Sequence, residues 1–360
     1  MLLLDQELKI GEFKIPIVRE VILETSREIP TDTLVVKLPK YKNLKKDDIK
    51  PDDKVTWKAG YTQYGLFPEF SGYVREVSPT IPFEIKCVDP MHYCQLQTMK
   101  RNYNNHPLAG FLQDCLHSKI KKDITLKIDP EAPKTISINN CANKSGRFAL
   151  WELSAKYGLD VFFRDWKLCV QKAFVKRNAF TQEKDKKVTK SKAASGTESG
   201  SSKDIPVFQF KYNIIEDSLI PRLKKDFIII VRGENPKTGT QYSGQFGIKG
   251  EKKYYEIDGL DKKQATSRAK ELFAEQCGSG FNGKFTTFGF PSVQHSQIIE
   301  ILDLEDTSRS AKTFVNKIIK NFDGGNAKYR QEIFPGYFYE EPKKKPESPP
   351  QKQEGRLIRS

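Results

Sequence analysis

The sequence predicts an α+β protein in which two small antiparallel β-barrels of similar plan are separated by α+β units. Three observations carry the prediction. Short runs rich in Val, Thr and aromatics, punctuated by Gly and Pro, fill residues 1–95. Apolar residues at helical spacing follow. The early plan of strand, loop, longer strand, turn and returning strand then recurs late in the chain.

In residues 1–95, the first barrel, "TLVVKLP" and "DKVTWKAGY" read as strands. "FSGYVREVS" followed by "PFEIKCVD" sets Tyr73, Arg75 and Val77, then Phe83, Ile85 and Cys87, at period two. Gly60, Gly65, Pro68, Gly72, Pro79 and Pro82 supply the turns.

Residues 96–182 read as a compact α+β domain. In "HPLAGFLQDCLHSKI" the residues Phe111, Leu112, Cys115 and Leu116 share a helix face, with Asn105 as cap and Pro107 near the first turn. A second helix in "SGRFALWELSAKYG" has Ser145 as cap, Gly158 as stop, and Phe148, Trp151 and Ala155 on the face expected to be buried. "LDVFFRDWKLCVQ" then reads as a hairpin around Arg164-Asp165-Trp166-Lys167.

Residues 183–204 are expected to form a flexible linker, because Lys, Ser and Gly there offer almost nothing to bury. Limited trypsin treatment should cut there first. The second barrel is placed at 205–338, from strands in 205–250 and 292–335, with a helix inserted at 261–277. That helix has Asp261 and Gln264 at capping-box spacing, an apolar stripe of Ala265, Ala269, Leu272 and Phe273, and Gly278 at its end. "GKFTTFGFPSVQHSQIIEI", residues 283–301, leads from this helix into a strand, bending at Gly283, Gly289 and Pro291. Residues 339–360 are expected to be a disordered, basic, Pro-rich tail. The internal echo pairs residues 53–95 with 296–335.

Net charge is +15, but residues 172–203 hold nine Lys or Arg against three acids and 341–360 hold six against three. Nine of the fifteen excess charges therefore lie in the two segments read as flexible, which favours solvated linkers over a basic nucleic-acid groove. No apolar run approaches the roughly 18–20 residues of a membrane helix, and Asp5 stops Met1-Leu2-Leu3-Leu4, so neither a span nor a cleaved signal is expected. The six cysteines, Cys87, Cys94, Cys115, Cys141, Cys169 and Cys277, form no CxxC pair and read as buried thiols of a reducing compartment. Cys87, His92 and Cys94 match no common zinc spacing.

No GxSxG elbow, P-loop, HExxH or strand-borne GxGxxG occurs. "CGSGFNG" follows a helix end and so offers phosphate no helix N-terminus. His295 reads as a surface or turn histidine, and the acid pairs Asp47-Asp48, Asp52-Asp53 and Asp303-Asp306 carry no sign of facing each other across a cleft. No catalytic, cofactor-binding or metal-binding residue is assigned, no cofactor is expected, and the protein is expected not to be an enzyme.

The order of elements resembles the baseplate hub proteins of contractile phage tails, the late control protein D family, and the hub part of the type VI secretion spike protein. Four passages carry it over about residues 70–305: "FSGYVREVSPTIPFEIKCVDPMHYCQLQ", "ALWELSAKYGLDVFFRDWKLCVQ", "FQFKYNIIEDSL" and "GKFTTFGFPSVQHSQIIEILD". None is specific alone. The resemblance implies a structural role at a virion tail baseplate assembled in the bacterial host cytoplasm. It implies a homotrimer whose six barrels form a ring between a six-fold tail tube protein and a separate three-fold spike protein, beside other baseplate proteins. DNA would pass the channel without specific binding, and no small-molecule substrate is implied. On this reading residues 283–301 lead into the second barrel, and Phe285, Phe288 and Phe290 are packing residues. Two other functions fit the sequence: a tail-associated peptidoglycan hydrolase, which turbidity assays would reveal, and a basic nucleic-acid-binding protein, which would show a steep salt slope.

Overall fold

A computed structural model describes residues 3–27, 31–39, 48–78, 80–172, 205–222, 226–234, 239–277 and 279–338. The linker expected at 183–204, the tail at 339–360, Asp47 and Gly278 lie outside these residues. The fold is α+β and mostly strand. No described helix is long and apolar enough to cross a membrane.

Seven strands open the chain: β1 (Leu4–Ile10), β2 (Phe13–Ile15), β3 (Glu20–Ser26), β4 (Thr33–Leu38), β5 (Lys54–Tyr61), β6 (Gly65–Ser78) and β7 (Phe83–Val88). They pair antiparallel in the order β2-β1-β5-β6-β7-β4-β3. Period-two burial explains the strands: Leu34, Val36 and Leu38 on β4, and Val55, Trp57 and Ala59 on β5, all point into one core. Register shifts against both neighbours mark bulges that let the 14-residue β6 bend around it.

The α+β part comprises α1 (Met91–Leu96), β8 (Tyr103–Pro107), α2 (Leu108–Cys115), β9 (Thr125–Ile128), β10 (Thr135–Ile138), α3 (Gly146–Tyr157), β11 (Leu159–Arg164) and β12 (Lys167–Lys172). The hairpin between β11 and β12 turns through Asp165 and Trp166, both at positive φ of 46° and 59°, as a type I′ turn requires. Trp166 is held there by the edge of Tyr73 at 5.2 Å and by Lys54 Nζ at 5.5 Å. Ser145 caps α3 by accepting from Phe148 N, and Gly158 ends it in the left-handed region. Asn105, in contrast, does not cap α2: the helix starts directly after Pro107 with no side-chain cap.

The buried face of α3 also differs from expectation. Gly146, Ala149, Leu150 and Leu153 face the core, while Trp151 is 55% exposed and Ala155 is exposed. The stripe at i, i+3, i+4, i+7 that wins is made of smaller residues, which let the helix approach the core closely. Trp151→Ala should therefore change stability by less than ~1 kcal/mol in a denaturant titration. Phe273→Ala, at a buried site against Phe246, should cost roughly 3–5 kcal/mol.

The rest of the chain holds β13 (Val207–Gln209), β14 (Ile214–Asp217), β15 (Ile220–Arg222), β16 (Phe227–Glu234), β17 (Gln241–Phe246), β18 (Glu251–Glu256), α4 (Lys262–Cys277), β19 (Gly280–Asn282), β20 (Phe285–Phe288), β21 (Ile298–Leu302), β22 (Ala311–Asp323) and β23 (Lys328–Phe338). The capping box of α4 is present, with Asp261 N donating to Gln264 Oε1 at 2.8 Å and Gln264 N to Asp261 Oδ1 at 2.7 Å. Its stripe packs on β16. Strands β16 and β17 fall in the 205–250 segment expected to supply strands of the second barrel, and β18 follows them. They instead form their own three-stranded sheet, because the apolar side of "FIIIV" is covered by α4.

Strands β21, β22 and β23 form an antiparallel meander, as β5, β6 and β7 do, so the two echoing segments share one local plan. The two sets of strands are nevertheless one sheet of fifteen. Lys317–Asp323 of β22 pairs with Ser26–Glu20 of β3, and Phe322 and Tyr329 enter the N-terminal core. At 13 residues, β22 is long enough to serve both units. Among the described residues the hydrogen-bonded path runs open-ended from β14 to β2.

Candidate functional site

The stretch between β20 and β21 lies in the seam between the N-terminal and C-terminal strands. Gly289 stands where a Cβ would fall 2.0 Å from Tyr329 Cδ1, so only glycine fits, and its N–H lies 3.2 Å from Tyr329 O and 3.3 Å from Tyr61 Oη. Gly289→Ala should cost about 1–3 kcal/mol by overpacking, readable as a lowered urea midpoint with an unchanged slope. After it comes a cis Phe290–Pro291 peptide, and the Phe290 ring lies flat on Tyr64 at 4.0 Å. Gln331, on the inward face of β23, donates to Pro291 O at 2.7 Å, and Gln294 donates to Pro68 O at 3.3 Å. The loop is thus fastened to both halves of the sheet.

At its centre is a buried ion pair. Lys320 takes the inward position between Ile318 and Phe322 on β22, and its Nζ lies 2.5 Å from Glu69 Oε2 of β6. The Lys320 ammonium also donates to Ser292 Oγ at 2.7 Å, while Glu69 Oε1 accepts from Ser292 Oγ at 2.7 Å and from Tyr329 Oη at 3.0 Å. Burial pulls the Lys320 ammonium below its ordinary value, and Glu69 opposes that pull. One β strand from each half, the loop and the terminal hairpin share these bonds. Such a network fixes the register of the two halves.

Further ion pairs tie the α+β part to the sheet. Arg27, next to β3, donates to Asp160 Oδ1 of β11 through Nε at 3.0 Å and Nη2 at 2.7 Å. Asp52 accepts from Tyr93 and pairs with Lys119 at 2.6 Å, and Asp123 accepts from Lys54 at 2.7 Å and Tyr73 at 3.2 Å. These last pairs are exposed on one or both sides and contribute little each.

The structure scatters most of the residues weighed from sequence. Cys87 lies in the N-terminal core, Cys94 in the core of the α+β part, and His92 is bonded to Arg75. Cys87, Cys94, Cys115, Cys141 and Cys169 are free, buried thiols. Asp53 accepts from Lys50 N at 2.8 Å, Asp303 from Glu305 N and Asp306 N at 3.0 Å each, and Asp306 from Ser308 N at 3.0 Å. Those acids organise turns. His295 departs from expectation: it is only 1% exposed, edge-on to Phe162 at 4.9 Å, because its loop is pressed into the seam. Phe285 is core, Phe290 stacks on Tyr64, and Phe288 lies under the Arg330 guanidinium. Sequence reading missed Glu69, Lys320, Asp32 and Asp89. Lys320 did leave a signal, as the lone charge at an inward step of an alternating strand.

No protein-family model matches the chain, and no curated protein sequence matches it. Solved structures do. The 43 kDa tail protein of prophage MuSo2 from Shewanella oneidensis superposes with a TM-score of 0.57 at 13% identity, over 92% of this chain and 98% of that one. A tail protein from Neisseria meningitidis MC58 gives 0.61 at 10% identity, over 92% and 96%. The E. coli c3393 protein, a type VI secretion component with structural similarity to the T4 tail proteins gp27 and gp5, gives 0.53 at 8%, over 92% and 76%. The resemblance to tail hub and type VI spike proteins is thus borne out at the level of fold.

Proposed function

We propose that the protein is a structural baseplate hub of a contractile phage tail or a related injection system. The observation that carries this reading is co-extension: the fold runs end to end with two tail proteins, one of them from a prophage, covering 92% of this chain and at least 96% of each of theirs. The echoed meanders supply the mechanism. If each chain contributes two similar β units, three chains close a ring of six similar modules, which meets a six-fold tube on one side and a three-fold spike on the other. The domain reading that goes with it places a first β unit at 1–95, an α+β unit at 96–182 and a second β unit within 205–338. The spike is a separate polypeptide on this account, and the ring sits at the tail baseplate.

The seam suits such a role. A ring that carries load between tube and spike needs its two β units at a fixed angle within each chain, and the Glu69–Lys320 network with the clamped 289–297 loop supplies that rigidity. Mixing the purified protein with its cognate tube and spike proteins tests the reading. Co-elution of three copies with one spike trimer is expected. Failure to bind either partner at micromolar concentration would count against it.

A further inference from the structure

The seam contains a second buried group that the ion pair does not use. Asp32 lies in the turn between β3 and β4, Asp89 follows β7, and His295 comes from the 289–297 loop. All three line one cavity of about 60 Å³, with the exposed Trp151 at its rim. Asp89 N donates to Asp32 O at 3.1 Å, Ser26 N to Asp32 Oδ1 at 3.3 Å and Met91 N to Asp89 Oδ1 at 3.2 Å. His295 Nδ1 is 3.1 Å from Ser296 Oγ. Its Nε2 faces Asp32 Oδ2 at 4.0 Å and makes no hydrogen bond among the described residues.

Charged neighbours come from every side. Arg164 of β11 and Glu24 of β3 act on Asp32. Arg147 of α3 and Asp32 act on Asp89, whose own charge reaches the Cys94 thiol of α1. Arg164 and Arg27 act on His295, and Arg27 is itself engaged by Asp160. A smaller adjoining cavity shares Asp32 and Asp89 and continues to Glu69, Lys320 and Asp165.

We propose that Asp32, Asp89 and His295 form a proton-operated latch on the seam: with Asp32 protonated the 289–297 loop stays docked against Asp32 and Asp89, and ionisation of Asp32 loosens it. The geometry gives the reason. A carboxylate at this depth faces a second acid and an uncharged imidazole, and the Arg164 guanidinium offsets only part of the cost of burying its charge. Burial pushes the Asp32 carboxyl up to about 7, with Arg164 opposing, and burial followed by Asp32 pushes Asp89 well above the ordinary carboxyl range. Burial, then Arg164 and Arg27, hold His295 well below the ordinary imidazole value, so it is neutral at physiological pH.

The sign follows. Asp32 binds its proton more tightly docked than exposed, so docking is favoured at lower pH and is lost as pH rises through about 7. His295 works the other way: the opened loop takes up a proton once pH falls below its ordinary value of 6.5. The latch is tightest in the mildly acidic window. On opening, the Asp32 proton passes to water through the cavity beside Trp151. This inference does not depend on the hub reading.

Amide hydrogen exchange of residues 289–297, corrected for intrinsic rates, tests it on the full chain. The opening constant of His295→Gln should rise about tenfold between about pH 6 and about pH 8, the effect of Asp32 alone, and that of the wild type about two- to threefold, because the opened imidazole takes up a proton at the acid end. Asp32→Asn should show no rise and a fall over the same interval. A flat His295→Gln profile, or a rise in Asp32→Asn, would overturn the proposal. Should Asp32→Asn fail to fold, infrared difference spectra of the wild type decide: a carboxylic-acid carbonyl band lost near neutrality supports the latch, and no titrating band there overturns it.

Discussion

Replacing Lys320 by alanine destabilises the protein by about 3–5 kcal/mol, the range for removing one member of a buried ion pair. The Lys320 and Glu69 side chains are 2% and 1% exposed, so neither can turn to water when its partner is lost. Ser292 and Tyr329 would remain as donors to Glu69, but two neutral hydroxyls do not balance a buried carboxylate. The pair itself is a different quantity from the cost of breaking it. Replacing both partners, Glu69→Leu with Lys320→Met, should bring stability back to within about 1 kcal/mol of the wild type or above it. Urea unfolding of the two single variants and the double variant measures both. A single-variant cost below ~1 kcal/mol would mean that water reaches the pair.

Trp57→Ala is expected to cost about 3–5 kcal/mol, as for a large aromatic removed from a core. The site tells more than its magnitude. Trp57 is fully buried and meets Phe322 edge-on at 6.2 Å and Tyr329 at 6.4 Å, so an N-terminal strand and the C-terminal hairpin fill one space. A cycle combining Trp57→Ala with Phe322→Leu should be non-additive by at least ~0.5 kcal/mol, as for residues in contact. Strict additivity would separate the two halves into independent cores.

Local features were the legible ones. Period-two alternation located β4 to β7, and the Ser145 cap, the Gly158 stop and the Asp261–Gln264 box placed their helices, because each is decided by neighbours within a few residues. Trp151 misled because residue size suggests burial, whereas the core accepted the smaller stripe through Ala149 and Leu153. The separate sheet of β16–β18 was hidden for a related reason: an apolar strand reads the same whether a sheet or a helix covers it. The seam was the least legible part. Glu69 and Lys320 are 251 positions apart, and Asp32, Asp89 and His295 come from three turns, so only the folded sheet brings them together.

The central claim is that one chain supplies two similar β units to a closed three-fold ring. A cryo-EM reconstruction of the protein bound to its tube and spike partners tests it most directly. The account predicts a three-fold axis, six β modules at nearly equal angles around a channel wide enough for duplex DNA, and superposable strand order for residues 53–95 and 296–335. A closed dimer that buries the sheet edges, or two segments with unrelated strand order, would contradict it.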